Sequence, residues 1–120
     1  MEEKFNYQSF INAFACIIHF VRNERNGRIQ FIIGIFVIIL SGLLNITKTE
    51  WIIVLICIGV VLCAEILNSA IEKLCNYIQP LFNLQIKIIK DTAAGAVLIV
   101  SIISALIGVI IFFPKILKLL

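Results

Sequence analysis

Polar positions near the N-terminus recur at helical rather than strand period, and further along the chain they nearly vanish for long stretches. Gln8, Asn12, His19 and Asn23 follow one another at spacings of four, seven and four. Those spacings mark one stripe of a helix. Phe10, Phe14, Ile17, Ile18 and Val21 occupy much of the remaining surface, which predicts an amphipathic helix lying flat in a membrane interface. A polar knot from Arg22 to Arg28 ends this surface segment, 1–28. Ile29 to Ile46 is then apolar apart from Gln30, Ser41 and Asn45. About 20 such residues cross a ~30 Å hydrocarbon core, so 29–46 predicts a first, short transmembrane helix.

Thr47 and Glu50 next spell a Thr-x-x-Glu capping box, with Ile46 and Trp51 placed as its hydrophobic staple. Trp51 also suits the membrane–water interface. The second helix is expected over 51–78, longer than a bilayer requires, with a polar second half that extends toward the cytoplasm. Gln79 and Pro80 stop it, because a residue before proline disfavours the helical region. A loop of about ten residues is expected to end in Lys87, Lys90 and Asp91, with Asp91 available as a helix N-cap. The third span, 92–113, carries no charge, and Pro114 and Lys115 are expected to close it.

Composition agrees with this pattern. At 120 residues the chain is one domain, and 62% of it is hydrophobic against 14% charged. A soluble fold of this size cannot bury so much apolar surface. The fold class is therefore all-α integral membrane. The net charge of +3 comes from ten Lys and Arg with no basic block among them, which excludes a nucleic-acid grip. Cys16, Cys57, Cys63 and Cys75 form no CxxC pair and read as small apolar residues. The acidic start, Met1-Glu2-Glu3, argues against a cleaved signal peptide. Seven Lys and Arg fall before the first span or between the second and third, against three on the other side. The positive-inside rule then places the N-terminus and the Pro80 loop in the cytoplasm.

Chemistry gathers on one helix face. Glu65, Asn68 and Glu72 sit at i, i+3 and i+7. Counting ~1.5 Å per residue from Trp51 puts Glu65 about 21 Å into a ~30 Å core and Glu72 at its cytoplasmic boundary. An intramembrane acid usually has a functional or pairing reason, because burying it costs roughly 2.5–3.5 kcal/mol on insertion scales. Structural alternatives stand beside each residue. Glu65 could pair with a neighbouring Asn or Lys, Glu72 could be solvated, and Glu24 could form an ordinary helical ion pair with Arg28. Together, carboxylates and a lysine at one membrane face suit phosphoryl transfer. Hard oxygen ligands hold Mg²⁺, which bridges nucleotide phosphates, and a deeper carboxylate can take a proton from a lipid hydroxyl. No GxxxxGK[ST] P-loop and no glycine-rich kinase loop is present, so helix ends must build any nucleotide site.

Ala64-Glu65-Ile66-Leu67-Asn68-Ser69-Ala70-Ile71-Glu72, followed by Lys90-Asp91-Thr92-Ala93-Ala94-Gly95-Ala96-Val97-Leu98, resembles the prokaryotic diacylglycerol kinase family, which includes the undecaprenol kinases. Glu24-Arg25-Asn26 with Arg28 matches that family's N-terminal motif, and the undecaprenol branch is the closer one. The resemblance implies a membrane lipid kinase that uses ATP and Mg²⁺. It implies Glu65 as general base, Glu24 and Glu72 as holders of the metal, and Asn68, Lys90 and Asp91 as residues shaping the nucleotide site. It also implies a homotrimer of the bacterial cytoplasmic membrane with its active sites shared between protomers on the cytoplasmic side. Ala94, Ser101, Ser104 and Gly108 form a small-residue stripe compatible with close helix packing. Asn76 stands where the family often has aspartate, and Pro80-Leu81-Phe82-Asn83 replaces a more polar stretch. Two rivals from other classes are a small proton-coupled transporter and a non-catalytic membrane subunit. The first predicts a mid-membrane carboxylate and usually four spans, and the second leaves Glu65 unexplained.

Overall fold

The computed structural model describes residues 7–120, and the acidic start at 1–6 lies outside the described residues. Four helices follow in order: α1 (Tyr7–Asn23), α2 (Arg25–Leu43), α3 (Lys48–Ile78) and α4 (Leu84–Leu119). No strand occurs among the described residues. α2, α3 and α4 are each long and apolar enough to cross a membrane. Each helix packs on the next in sequence, with α3 against α4 the most extensive pairing.

α1 is amphipathic as expected. Its polar stripe satisfies itself one turn at a time: Gln8 donates to Asn12 at 3.1 Å, and Asn23 Nδ2 donates to the His19 carbonyl at 3.0 Å. Phe10, Phe14, Ile17 and Ile18 are exposed on the opposite side. Phe20 alone in α1 is buried, at the corner where α1 meets α2. Gly27 is buried there as well, and a Cβ at that position would lie 2.5 Å from the Phe20 carbonyl oxygen and 2.9 Å from its ring. Only Glu24 interrupts the helix between them, with extended backbone at φ −101°, ψ 132°.

The turn between α2 and α3 is closed by two local motifs. α2 ends at Leu43 rather than at the expected Ile46. Asn45 takes a left-handed φ of 51°, while Asn45 N–H bonds the Gly42 carbonyl and Ile46 N–H bonds the Ser41 carbonyl, both at 3.4 Å. That is a Schellman motif, and Ile46 is its buried apolar residue. The capping box then forms in both directions: Glu50 N–H donates to Thr47 Oγ1 at 3.2 Å and Thr47 N–H to Glu50 Oε1 at 3.0 Å. Ile46, Val54, Ile111 and Phe112 make the apolar core at this end, with Trp51 packed beside them.

The third transmembrane helix departs from expectation at both ends. The loop after α3 is only 79–83, and Asn83 is the N-cap, its Oδ1 accepting from Gln85 N–H at 2.9 Å and Ile86 N–H at 3.2 Å. Asp91 lies inside the helix and caps nothing. A side-chain acceptor closer to Pro80 captured the free amides first. Nor does Pro114 end the helix, which continues to Leu119. Proline removes one backbone bond, a loss that packed membrane helices tolerate, and Lys115 next to it is tied to Glu50 of α3 at 3.1 Å. At ~1.5 Å per residue its 36 residues extend about 54 Å, well beyond a ~30 Å core.

Candidate active site

The polar half of α3 is the scaffold. Positions 65, 69, 72, 73 and 76 fall within one stripe of a 3.6-residue helix, and α1–α2 and α4 reach over it from either side. Glu65 is buried at 7% exposure, deep within α3. Gln30 of α2 is the neighbouring polar side chain across the helix interface. Glu72, two turns toward the loop, is exposed.

Glu24 does not pair with Arg28. Because the helix breaks at Glu24, the i,i+4 geometry is lost, and Arg28 Nη1 donates instead to the Arg22 carbonyl at 3.0 Å. The freed carboxylate folds across α3, where Ser69 Oγ donates to Oε2 at 2.5 Å and Lys73 Nζ stands 2.5 Å from Oε1. The Lys73 ammonium, then the Ser69 hydroxyl, hold the Glu24 carboxyl below the ordinary glutamate value.

Lys90 and Asp91 diverge. Lys90 turns onto α3 and donates to Asn76 Oδ1. Asp91 points away and pairs with Lys87 at 2.6 Å along the exposed side of α4. Within one chain, then, Glu24, Glu65, Asn68 and Lys90 gather around α3 and Glu72 borders them, whereas Asp91 stays outside. Ser69, Lys73, Asn76 and Gln30 were not among the sequence-derived candidates. Their common spacing with Glu65 along α3 was the signal for the first three, and the Gln30 contact depends on tertiary packing.

Metal binding can be judged from the donors present. Among the described residues no three Asp, Glu, His or Cys side chains form a closed metal cage. Two buried oxygens, Glu24 Oε1 and Asn68 Oδ1, accept no hydrogen bond, and Glu24 Oε1 is engaged only by the Lys73 charge. Both are hard acceptors. Mg²⁺ is typically held by one or two carboxylates together with waters and substrate phosphates, so this donor set fits it. Below the polar end lies an apolar cavity of about 340 Å³ between α2, α3 and α4. Gln30 sits on its wall, with Ser101, Ser104 and Gly108 on the α4 side and Val54 and Phe112 toward the far end.

The family model for prokaryotic diacylglycerol kinase matches residues 11–112, from the surface helix through nearly all of the last span. The chain belongs to that family. Among the relatives of this prokaryotic diacylglycerol kinase family member is an undecaprenol kinase from Bacillus subtilis, 36% identical over 91% of this chain and 89% of that one. A diacylglycerol kinase from Synechocystis is 30% identical over 93% of this chain and 65% of its own length. Family membership and three apolar helices make the chain a membrane protein.

Proposed function

We propose that this chain transfers the γ-phosphoryl group of ATP to the hydroxyl of a membrane lipid alcohol, with undecaprenol the favoured acceptor and diacylglycerol the second. The observation that carries the reading is the arrangement along α3. A buried carboxylate, Glu65, lies within the membrane-crossing helix α3, and a second, Glu24, is folded over the same helix nearer its polar end. In the transfer the lipid oxygen bonds to the γ-phosphorus, the bond to the ADP leaving oxygen breaks, and the hydroxyl proton passes to Glu65. Gln30 orients the Glu65 carboxylate, and Asn68 presents a carbonyl oxygen to the same space. Glu24 and Glu72 would hold Mg²⁺, which when bound offsets the charge on the phosphates. Lys90, fixed by Asn76, adds positive charge at the nucleotide end. The apolar cavity supports a hydrocarbon tail whose head reaches Glu65.

Undecaprenol is preferred because the relative of that name is matched at higher identity and over more of its length. The family match favours a lipid kinase over the transporter and the non-catalytic subunit. Asp91, paired with Lys87 and turned outward in a single chain, is placed where a neighbouring copy can reach it, as the shared sites of a homotrimer require. The distribution of Lys and Arg supports a site facing the cytoplasm of a bacterial inner membrane. Purified protein in mixed micelles, given labelled ATP, Mg²⁺ and either undecaprenol or diacylglycerol, tests the assignment. Transfer to undecaprenol at the higher kcat/KM is expected, and no transfer to either lipid would overturn it.

A further inference from the structure

Two lysines serve the polar end of α3, and they are held differently. Lys90 is engaged by the neutral carbonyl of Asn76. Lys73 is held by charge, its Nζ 2.5 Å from Glu24 Oε1, although 64% of its side chain remains exposed. That carboxylate is the one assigned to Mg²⁺ above. A Mg²⁺ ion sits ~2.1 Å from its oxygen ligands, so at Oε1 it competes with an ammonium group held this close. Two cations would face each other across one oxygen. Repulsion between the two charges therefore works to eject Lys73 when the metal arrives.

The ejected group has somewhere to go. Lysine carries its charge on a flexible four-carbon stem with three rotatable donors, and this one lies mostly in solvent, so it can swing at little cost. The metal arrives with nucleotide phosphates, which carry the strongest acceptors the site will meet. Ser69 keeps its hold on Oε2, so the carboxylate need not turn while its partner changes.

We propose that Lys73 is an exchangeable counter-ion. It neutralises the partly buried Glu24 while metal is absent, and moves to a nucleotide phosphate when metal takes that carboxylate. The proposal rests on the kinase reading and deepens its nucleotide site by one positioning residue. A carboxylate with only 23% exposure thus never stands unpaired during the cycle. Free metal must compete with an ammonium group, whereas metal delivered with phosphates gives that ammonium a new partner.

The two halves of the exchange predict opposite signs. Mn²⁺ serves as the probe, with its free fraction read by electron paramagnetic resonance on full-length protein in detergent micelles. K73M keeps most of the stem and removes the charge. Its affinity for free Mn²⁺ should rise roughly two- to fivefold, the scale of an exposed ion pair. Its affinity for Mn²⁺ with a non-hydrolysable ATP analogue should fall about three- to tenfold. K73R retains the charge and should restore the parental order of affinities. If either K73M affinity equals the parental value, or both move in one direction, the exchange is overturned. It is equally overturned if K73R behaves as K73M does. Parental protein that binds no nucleotide analogue would sink the kinase site and the exchange with it. A parent that binds normally beside an unaltered K73M sinks the exchange alone.

Discussion

Replacing Gly27 by alanine probes how the surface helix sets the site. The added Cβ would meet the Phe20 carbonyl oxygen at 2.5 Å and two ring atoms at 2.9 and 3.0 Å. A ring can rotate, but the backbone oxygen cannot leave without moving α1. Overpacking a tight contact costs typically ~1–3 kcal/mol. Alanine's better helix propensity, worth about 1 kcal/mol relative to glycine, offsets part of this in α2. The remainder should be relieved by opening the α1–α2 corner. Glu24 is the single residue linking the two helices, so its carboxylate shifts away from Ser69 and Lys73. A displacement near 1 Å at a reacting constellation can cost about 10²-fold in rate. G27A is therefore expected to lose between ten- and a hundredfold in lipid phosphorylation, a scale set by that effect. Circular dichroism should show the bundle still helical, while hydrogen exchange in α1 rises. F20A should relieve only the ring contacts and rescue G27A poorly. Parental turnover together with parental exchange in α1 would refute the reasoning.

Glu65→Gln keeps the size of the proposed base and removes its function, so phosphoryl transfer should fall by ~10²–10⁴-fold with lipid and nucleotide binding largely kept. A folded, lipid-binding variant working at the parental rate would end that assignment. Glu24 should titrate below an ordinary glutamate when its carboxyl carbon is followed by NMR in metal-free protein, and K73M should move that midpoint upward. With a lowered folded-state value, the stabilisation is present above the unfolded glutamate pKa and is lost as pH falls through the folded one. The α1–α2 corner should accordingly loosen only in that acidic window. In a variant without native cysteines, a cysteine at position 48 should react with an impermeant reagent outside intact cells and one at position 83 should not. The reverse pattern would invert the proposed topology.

Long-range order in this chain is legible because the membrane simplifies it. Three apolar runs and one polar stripe define the elements, and the Thr47–Glu50 box appears as the spacing predicts. Helix ends were harder to place. Asn83 outcompeted Asp91 as the cap because it lies nearer the loop, and Pro114 was absorbed by a packed helix. The Schellman ending of α2 depends on Asn45 accepting a left-handed backbone, which a run of apolar neighbours disguises. Within the site, carboxylates at helical spacing stood out, but partner choice did not. Glu24 offered Arg28 one turn ahead and took residues forty-five and forty-nine positions later in the chain, because the chain breaks at Glu24 itself. Asp91 turned away from a neighbour one residue before it for a similar reason: adjacent helical positions do not face the same way.

The Glu50–Lys115 pair bears on how the protein is assembled in the bilayer. α2 and α3 are joined by a four-residue turn closed by its own bonds, so they can enter as a preformed hairpin before α4 has been synthesised. On the proposed topology, the lysine near the end of α4 must then be carried across the hydrocarbon layer. Glu50 waits on the far side as its receptor, already fixed by Thr47. Once the two meet, slipping back would require the lysine to re-enter hydrocarbon as well as give up its partner. On that topology the pair would act as a ratchet on the last translocation step, and losing Glu50 should leave newly made chains with their final helix incompletely inserted.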